Sequence, residues 1–488
     1  MSLSLTLSNA LSGLQANARQ ADQISGNVAN ALTEGYSRRS VLLAENVVAG
    51  LGAGVSVSGV QRASSPAAAE ARRLADAAAG RAGVLSDAAG RLATSVGDPG
   101  DAGALATAAT RLQEAIAAAA DTPESAALLR GAAFAADDFA QSINRIATEV
   151  ATLRTEADAA IARQVADING ALFRIKSLNR EIQSRAVTGG DISALQDQRE
   201  RMIREVSGQI PIRVVRRENE AVAIYAKNGG QLLDGRVYEL EFTPTRVVGP
   251  NQTLANGALS GLSIDGRAYD IGEGDGAGLF DGGALAAAFE LRDRILPATG
   301  DDLDALAEDV ILRTQGLAGD PTLGPGDAGL FTDEGVAYNP ADRLGLALRI
   351  SVNDQVNPDV GGDAFRMRDG VAAVAPGEVG ESSVLRALQD AFAEAVSAPA
   401  GSRLTGDRSA AGFAAEISSF ALTEAAIADE GAVFEAGRAT ALADAEQQLI
   451  GVDTDQELSQ LLVVEQAFAA NARVIQVVDE LLETLTSI

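Results

Sequence analysis

Two narrow apolar stripes, one at each end of the chain, constrain the fold more than any other feature of these 488 residues. The first runs through Leu3, Leu7, Leu11, Leu14, Ala18, Ala21, Ile24 and Val28, and the second through Leu458, Leu461, Glu465, Phe468, Ala472, Ile475, Val478, Leu482 and Leu485, apolar but for Glu465. Steps of three and four residues place each set along one side of a helix, a seam only wide enough for a partner helix. A lone helix of this kind is marginal in water, so the two ends are expected to pack on each other and on neighbouring subunits, and to lack order in an isolated monomer. The spacing alone also fits ordinary bundle helices of a globular domain. The first helix should stop near Asn30, ahead of Gly35 and Tyr36. Before the last one, Gly451 breaks the chain, and Thr454 and Glu457 have capping-box spacing.

Between the ends the period changes twice. Phe139, Ile143, Ile146, Val150, Leu153, Ala157, Ile161, Val165, Ile168, Leu172, Ile175, Leu178 and Ile182 mark a helix of roughly 65 Å, with Thr122, Pro123 and Glu124 read as its start. Residues 63–120 and 382–449 are Ala-rich and helical in composition. From Ile210 the period falls to two, through Ile212, Val214, Val222, Ile224, Tyr238, Leu240 and Phe242, with Asn228-Gly229, Asp234-Gly235 and Asp265-Gly266 as hairpin turns. A helical stretch at 283–316 interrupts this region before Leu346, Leu348, Ile350 and Val352. The expected class is multidomain α+β: terminal coiled-coil helices (1–35 with 452–488), an elongated long-helix bundle domain (36–208 with 283–316 and 376–451) and a β-rich inserted domain (209–282 with 317–375).

Composition removes most chemistry. With no His, Cys or Trp, the chain has no imidazole base, no thiolate and no Cys/His metal cage. Against 39 Lys and Arg stand 67 Asp and Glu, a net charge of −28 that repels phosphate backbones and anionic lipid heads, so neither nucleic acid nor a membrane is expected as a partner. No uninterrupted apolar run reaches about 18 residues, and no Lys or Arg precedes Arg19, so neither a membrane span nor a conventional signal peptide is read. Asp453, Asp455 and Glu457 begin like a calcium loop, but Leu458 and Val464 stand where such a loop needs Gly and Glu. The patch Gly272, Gly274, Asp275, Gly276, Gly278, Asp281 and Gly282 reads as a loop, and Gly50, Gly52 and Gly54 lead into strand-like Val55 and Val57, not a nucleotide-binding helix. Neither lysine, Lys176 or Lys227, sits in a catalytic arrangement. No catalytic, metal or cofactor site is expected, and the chain is not read as an enzyme.

The segments Ala10-Leu11-Ser12-Gly13-Leu14-Gln15-Ala16, Ser25-Gly26-Asn27-Val28-Ala29-Asn30 and Gly35-Tyr36-Ser37-Arg38-Arg39 closely resemble the N-terminal signature of bacterial flagellar rod, hook and hook-associated proteins. Gly451-Val452-Asp453-Thr454-Asp455-Gln456-Glu457-Leu458, Glu465-Gln466-Ala467-Phe468 and Ala470-Asn471-Ala472-Arg473-Val474-Ile475 resemble the matching C-terminal signature. Ile450, Asp453 and Phe468 depart from it mildly, where the family usually has Ser, Asn and Tyr. Length, the long central helices and the segment from Gly54 to Arg62 are similar to the hook-associated branch at the hook-filament junction, with hook or distal rod protein as the alternative. The resemblance implies a structural adaptor, extracellular, exported by the flagellar type III apparatus without a cleaved signal. Its implied partners are hook protein, other hook-associated proteins, flagellin through them, further copies of itself in a ring or helical layer, and an export chaperone. It makes Asn27, Asn30, Gly35, Tyr36 and Arg38 the motif residues, and the two stripes the assembly seams.

Overall fold

The computed structural model describes residues 3–48, 51–269, 278, 280 and 282–486. Gly50 and most of the Gly/Asp patch, Gly272, Gly274, Asp275, Gly276 and Asp281, lie outside them.

From the N-terminus the chain forms α1 (Leu3–Ala29), a hairpin of β1 (Arg39–Val48) and β2 (Leu51–Arg62), then α2 (Pro66–Val96), α3 (Leu105–Asp121), α4 (Ala126–Val187) and α5 (Ser193–Gln209). An antiparallel sheet in sequential order follows: β3 (Ile212–Arg216), β4 (Val222–Ala226), β5 (Gln231–Asp234) and β6 (Arg236–Val237). A smaller sheet holds β7 (Leu240–Glu241), β8 (Leu262–Ile264) and β9 (Arg267–Tyr269). Then α6 (Ala284–Glu290) runs through a π-helical stretch, Leu291–Ile295, into α7 (Leu296–Thr314). β10 (Phe331–Asp333) pairs with β11 (Ile350–Val352), α8 (Arg366–Asp369) and α9 (Ser383–Ala393) follow, and β12 (Val396–Ser397) pairs with β13 (Asp407–Arg408). The chain closes with α10 (Ala410–Ile450) and α11 (Thr454–Thr486). Long helices with several small sheets make this a multidomain α+β fold, the class the sequence implies.

Two compact units result: residues 1–79, 166–240 and 435–488 form the first, 80–165 and 241–434 the second. The second has an Ala-rich core running from Ala88 to Ile417 in sequence, in which Phe139, Phe331 and Phe392 meet edge to face. So few aromatics make a core from close helix contacts, where Ala lets backbones approach. In the first unit, Asn179 of α4 clamps the sheet by donating to the Val222 carbonyl (2.8 Å) and accepting from the Val222 N–H (3.2 Å). Hence β3 to β6 belong to the first unit and β8 to β11 to the second, whereas the sequence groups 209–282 with 317–375.

Every residue of the predicted central stripe, Phe139 to Ile182, is buried, and the helix is longer than its apolar face, 62 residues or about 93 Å. Its start differs from the expectation. Pro123 lies in the turn after α3, and the Ser125 hydroxyl accepts from the N–H of Leu128 (3.4 Å), because a helix opening at Ala126 is capped by the Ser before it. Leu346 and Leu348 fall in a 3₁₀ turn, and the strand starts at Ile350. The turns Asn228-Gly229, Asp234-Gly235 and Asp265-Gly266 do join β4 to β5, β5 to β6 and β8 to β9. In the last, both residues have positive φ (49° and 74°), as a tight hairpin requires.

Candidate assembly interface

α1 ends at Ala29 and α10 at Ile450, and both terminal helices belong to the first unit, α11 following α10 after a short break. They pair antiparallel: Asn27 bonds to Glu457, while a Cβ on Gly13 would come within 2.7 Å of Asn471 Nδ2, fourteen residues back on one helix and fourteen forward on the other. Gly13 is therefore the point where α1 lets the Asn471 side chain against its backbone.

One buried side chain, Asn27 at 1% exposure, fixes the base of this pair. Its Nδ2 donates to Glu457 Oε2 (3.0 Å) and to the Arg39 carbonyl (2.8 Å), and its Oδ1 accepts from the Tyr36 hydroxyl (2.8 Å) and the Arg39 N–H (3.1 Å). Glu457 is equally buried, and its other oxygen takes the Arg38 guanidinium at 2.8 Å. The Arg38 N–H donates to the Ile450 carbonyl (2.8 Å), so one residue holds both the end of α10 and the first turn of α11. Beneath lies Asp197 of α5, which receives Arg39 (2.8 Å) and Arg62 (2.6 Å), and Arg39 stacks 4.7 Å from the Tyr36 ring centre. Burial pushes the Tyr36 phenol above its ordinary range, against the pull of Arg39, which keeps it a neutral donor to Asn27. Gly35 (φ +74°) makes the bend that presents Tyr36. A side chain there would press on Arg201 and Arg204. Asn30 closes the helix end by donating to the Gly26 carbonyl (2.9 Å).

A second lock joins α1 to the hairpin. The Ser12 hydroxyl donates to the Asn9 carbonyl (2.9 Å) and accepts from the Val55 N–H (3.2 Å), and Gly54 (φ +97°) passes so close that a Cβ would overlap the Ser12 oxygen.

All five motif residues thus meet at the base of the helix pair or shape the turn beside it. The stripes are divided. Leu7, Leu14, Ala21, Val28, Leu461, Ala472 and Ile475 are half-buried, whereas Leu11, Ala18, Leu458, Phe468, Leu482 and Leu485 are exposed. Inward positions are instead Ala10, Ala16, Asn17, Ile24 and Asn27 on α1, and Glu457 and Val478 on α11. The face turns because α1 packs against the hairpin as well as α11, and so buries a wider arc than one seam. Beside exposed charges such as Glu465, Arg473, Asp479 and Glu483, α11 leaves Leu458, Leu462, Val463, Phe468, Val474, Val477, Leu481, Leu482 and Leu485 exposed. A window of this helical stretch is apolar and long enough to cross a bilayer, with mean hydropathy 1.4. Asn471 and Arg473 within it, and its pairing with α1, fit a helix-packing surface better.

Sequence reasoning missed two participants. Glu457 reads as half of a capping box with Thr454. Asp453 is the cap instead, its Oδ1 accepting from the N–H groups of Asp455 (3.0 Å) and Gln456 (3.1 Å), which frees Glu457 to turn inward. Asp197 carries no local signal, because its role comes from two arginines more than 130 residues away. Among the described residues there is no cluster of acidic side chains able to hold a metal.

Comparison with known proteins gives two family matches: residues 90–314 match the flagellar hook-associated protein FlgK helical domain, and residues 450–488 the flagellar basal body rod FlgEFG protein C-terminal domain. No curated protein matches. Among solved structures, the flagellar hook junction protein FlgK from Burkholderia pseudomallei matches over 54% of this chain at 19% identity and a TM-score of 0.42, and the match spans 46% of that protein. The two family matches lie in separate parts of the chain, the first over a little under half of it, and the second contains the helix that Asn27 and Arg38 hold.

Proposed function

We propose that this protein is a structural subunit of the bacterial flagellum that joins hook to filament at the hook tip, not an enzyme. The observation that carries the reading is the terminal helix pair: its base is locked by Asn27, Arg38 and Glu457, and an apolar face on α11 stays uncovered. Such a pair is stable enough to be placed as a unit yet needs neighbours to bury the rest of its surface. Copies related head to tail would form a ring or helical layer lined by these pairs, with hook protein on one side and other hook-associated proteins, then flagellin, on the other. The subunit would leave the cell through the flagellar type III apparatus, escorted by a chaperone and without a cleaved signal. Leu7, Leu11, Leu14, Ala18, Ala21 and Val28, with Leu458, Leu461, Phe468, Ala472, Ile475, Leu482 and Leu485, are the proposed seam positions, some closing within the chain and some between copies.

Deleting residues 3–30 from the chromosomal copy tests this. Motility should be lost and filament subunits should accumulate in the medium; normal swimming would overturn the proposal.

A further inference from the structure

Away from the terminal helices, the first unit contains a polar cleft of about 460 Å³. Four arginines line it, an unusual concentration in a chain of net charge −28. Arg62 is held by Asp197 and Arg73 by Glu200 (3.0 Å). Arg199 and Arg216 have no carboxylate within ion-pair distance among the described residues: Arg199 donates to Asn179 Oδ1 (2.9 Å) and the Glu220 carbonyl (2.6 Å), and Arg216 reaches only the Ser64 hydroxyl (3.5 Å). Arg73 is 6% exposed, and its Nε–H, fully enclosed, meets no acceptor. Burial lowers Arg199 to about 10, and the guanidiniums of Arg62 and Arg216 push the same way, against Glu200 and Glu220.

The backbone adds positive ends. The first turn of α2 (Ser65, Pro66, Ala69) and that of α5 (Ile192, Ser193, Gln196) both open onto the cleft, in helices of 31 and 17 residues. The Ser64, Ser65 and Ser193 side chains stand beside them. The acidic lining, Glu200, Glu220 and Glu446, is already engaged by Arg73, Gln196 and Arg72. Guanidinium forks, hydroxyls and helix N-termini around one open space are the donor set of an oxyanion site.

We propose that this cleft binds an oxyanion of the carboxylate or phosphate class, with Arg73, Arg199 and Arg216 as its donors. The ligand is either a dissolved anion or a carboxylate side chain of a neighbouring copy, and the site itself does not depend on the junction role.

Titration calorimetry of the full chain with citrate, and separately with inorganic phosphate, tests the site. Wild type should bind one anion saturably, and Arg216→Glu should weaken binding at least tenfold. Arg213→Glu makes the same charge change on the other face of β3 and should leave binding unaltered. Ser64→Ala, mild enough to leave the fold intact, should weaken binding two- to fivefold. Absence of saturable binding in wild type, or equal loss in Arg213→Glu and Arg216→Glu, would overturn the proposal. The source follows from self-association in sedimentation runs: if Arg216→Glu and added citrate both suppress it while Arg213→Glu does not, a neighbouring copy supplies the carboxylate. If self-association is unchanged while citrate still binds, the ligand is a dissolved anion.

Discussion

At the scale of single residues, Asn27 shows how one amide can hold two chain ends together. Five hydrogen bonds converge on its buried side chain, and two of its partners, Glu457 and Tyr36, are themselves enclosed, so truncation would strand a carboxylate and a phenol away from water. Asn27→Ala should lower stability of the terminal pair by about 2–4 kcal/mol, read as loss of helix signal at lower temperature than the rest of the chain. Asn27→Asp would set a second carboxylate beside Glu457 and should be at least as damaging. In the second unit, Asp304 provides a pH readout. Its carboxylate accepts from the N–H groups of Gly345 (2.7 Å) and Ala347 (2.8 Å), yet burial outweighs these bonds and raises its pKa to about 6. Asp301 adds to the rise, and Arg343 opposes it. Because the folded value lies above the unfolded one, the folded state holds the extra proton between about pH 4 and 6, and this contribution to stability is lost as pH rises through that window, about 3 kcal/mol in all. Asp304→Asn should therefore flatten the slope of unfolding free energy against pH between about 4.5 and 6.5; an unchanged slope would assign the effect to other carboxylates.

At the scale of elements, the contrast between α4 and the terminal helices is instructive. The α4 stripe reads correctly from the sequence because each apolar position faces an interior whatever lies across from it. The terminal stripes do not, because a seam of period 3.5 can face a partner helix in its own chain, a hairpin or another subunit, and only the contacts distinguish them. Ile475 sits half-buried on the α1 side of α11, so Ile475→Asp would set an unpaired charge into the pair. It should block incorporation into flagella while leaving the melting of the second unit unchanged, as seen by motility and calorimetry; normal incorporation would remove Ile475 from the seam. Hydrogen exchange should separate the same two classes. Amides of α1 and α11 are expected to exchange well before those of α4 residues 139–157, which lie in the second unit's core.

For the whole molecule, the exposed apolar row on α11 and the net charge of −28 act in opposite directions. The first favours association and the second resists it at low salt, with a repulsion that falls off over about 10 Å at 0.1 M salt. A junction subunit should remain monomeric when purified and concentrated, whereas a hook or rod subunit should grow into long tubes; electron microscopy of the concentrated protein across a salt series separates the two. Wild-type tubes at any salt would favour the hook or rod reading.

What the sequence determined by itself is the set of local periods and turn residues: where helices and strands run, that both ends are helical, and that no His, Cys or Trp chemistry is available. These depend on neighbours three or four places away, or on the backbone freedom of single glycines such as Gly266. Only the tertiary structure decided that Glu457 turns inward to Asn27 instead of capping its own helix, that Asp197 gathers Arg39 and Arg62, and that β3 to β6 fall in the first unit while β8 to β11 fall in the second. The first two outcomes rest on contacts between residues more than a hundred positions apart. A carboxylate finds its partner there by burial and by the geometry of donors already held in place, and a one-dimensional pattern carries neither.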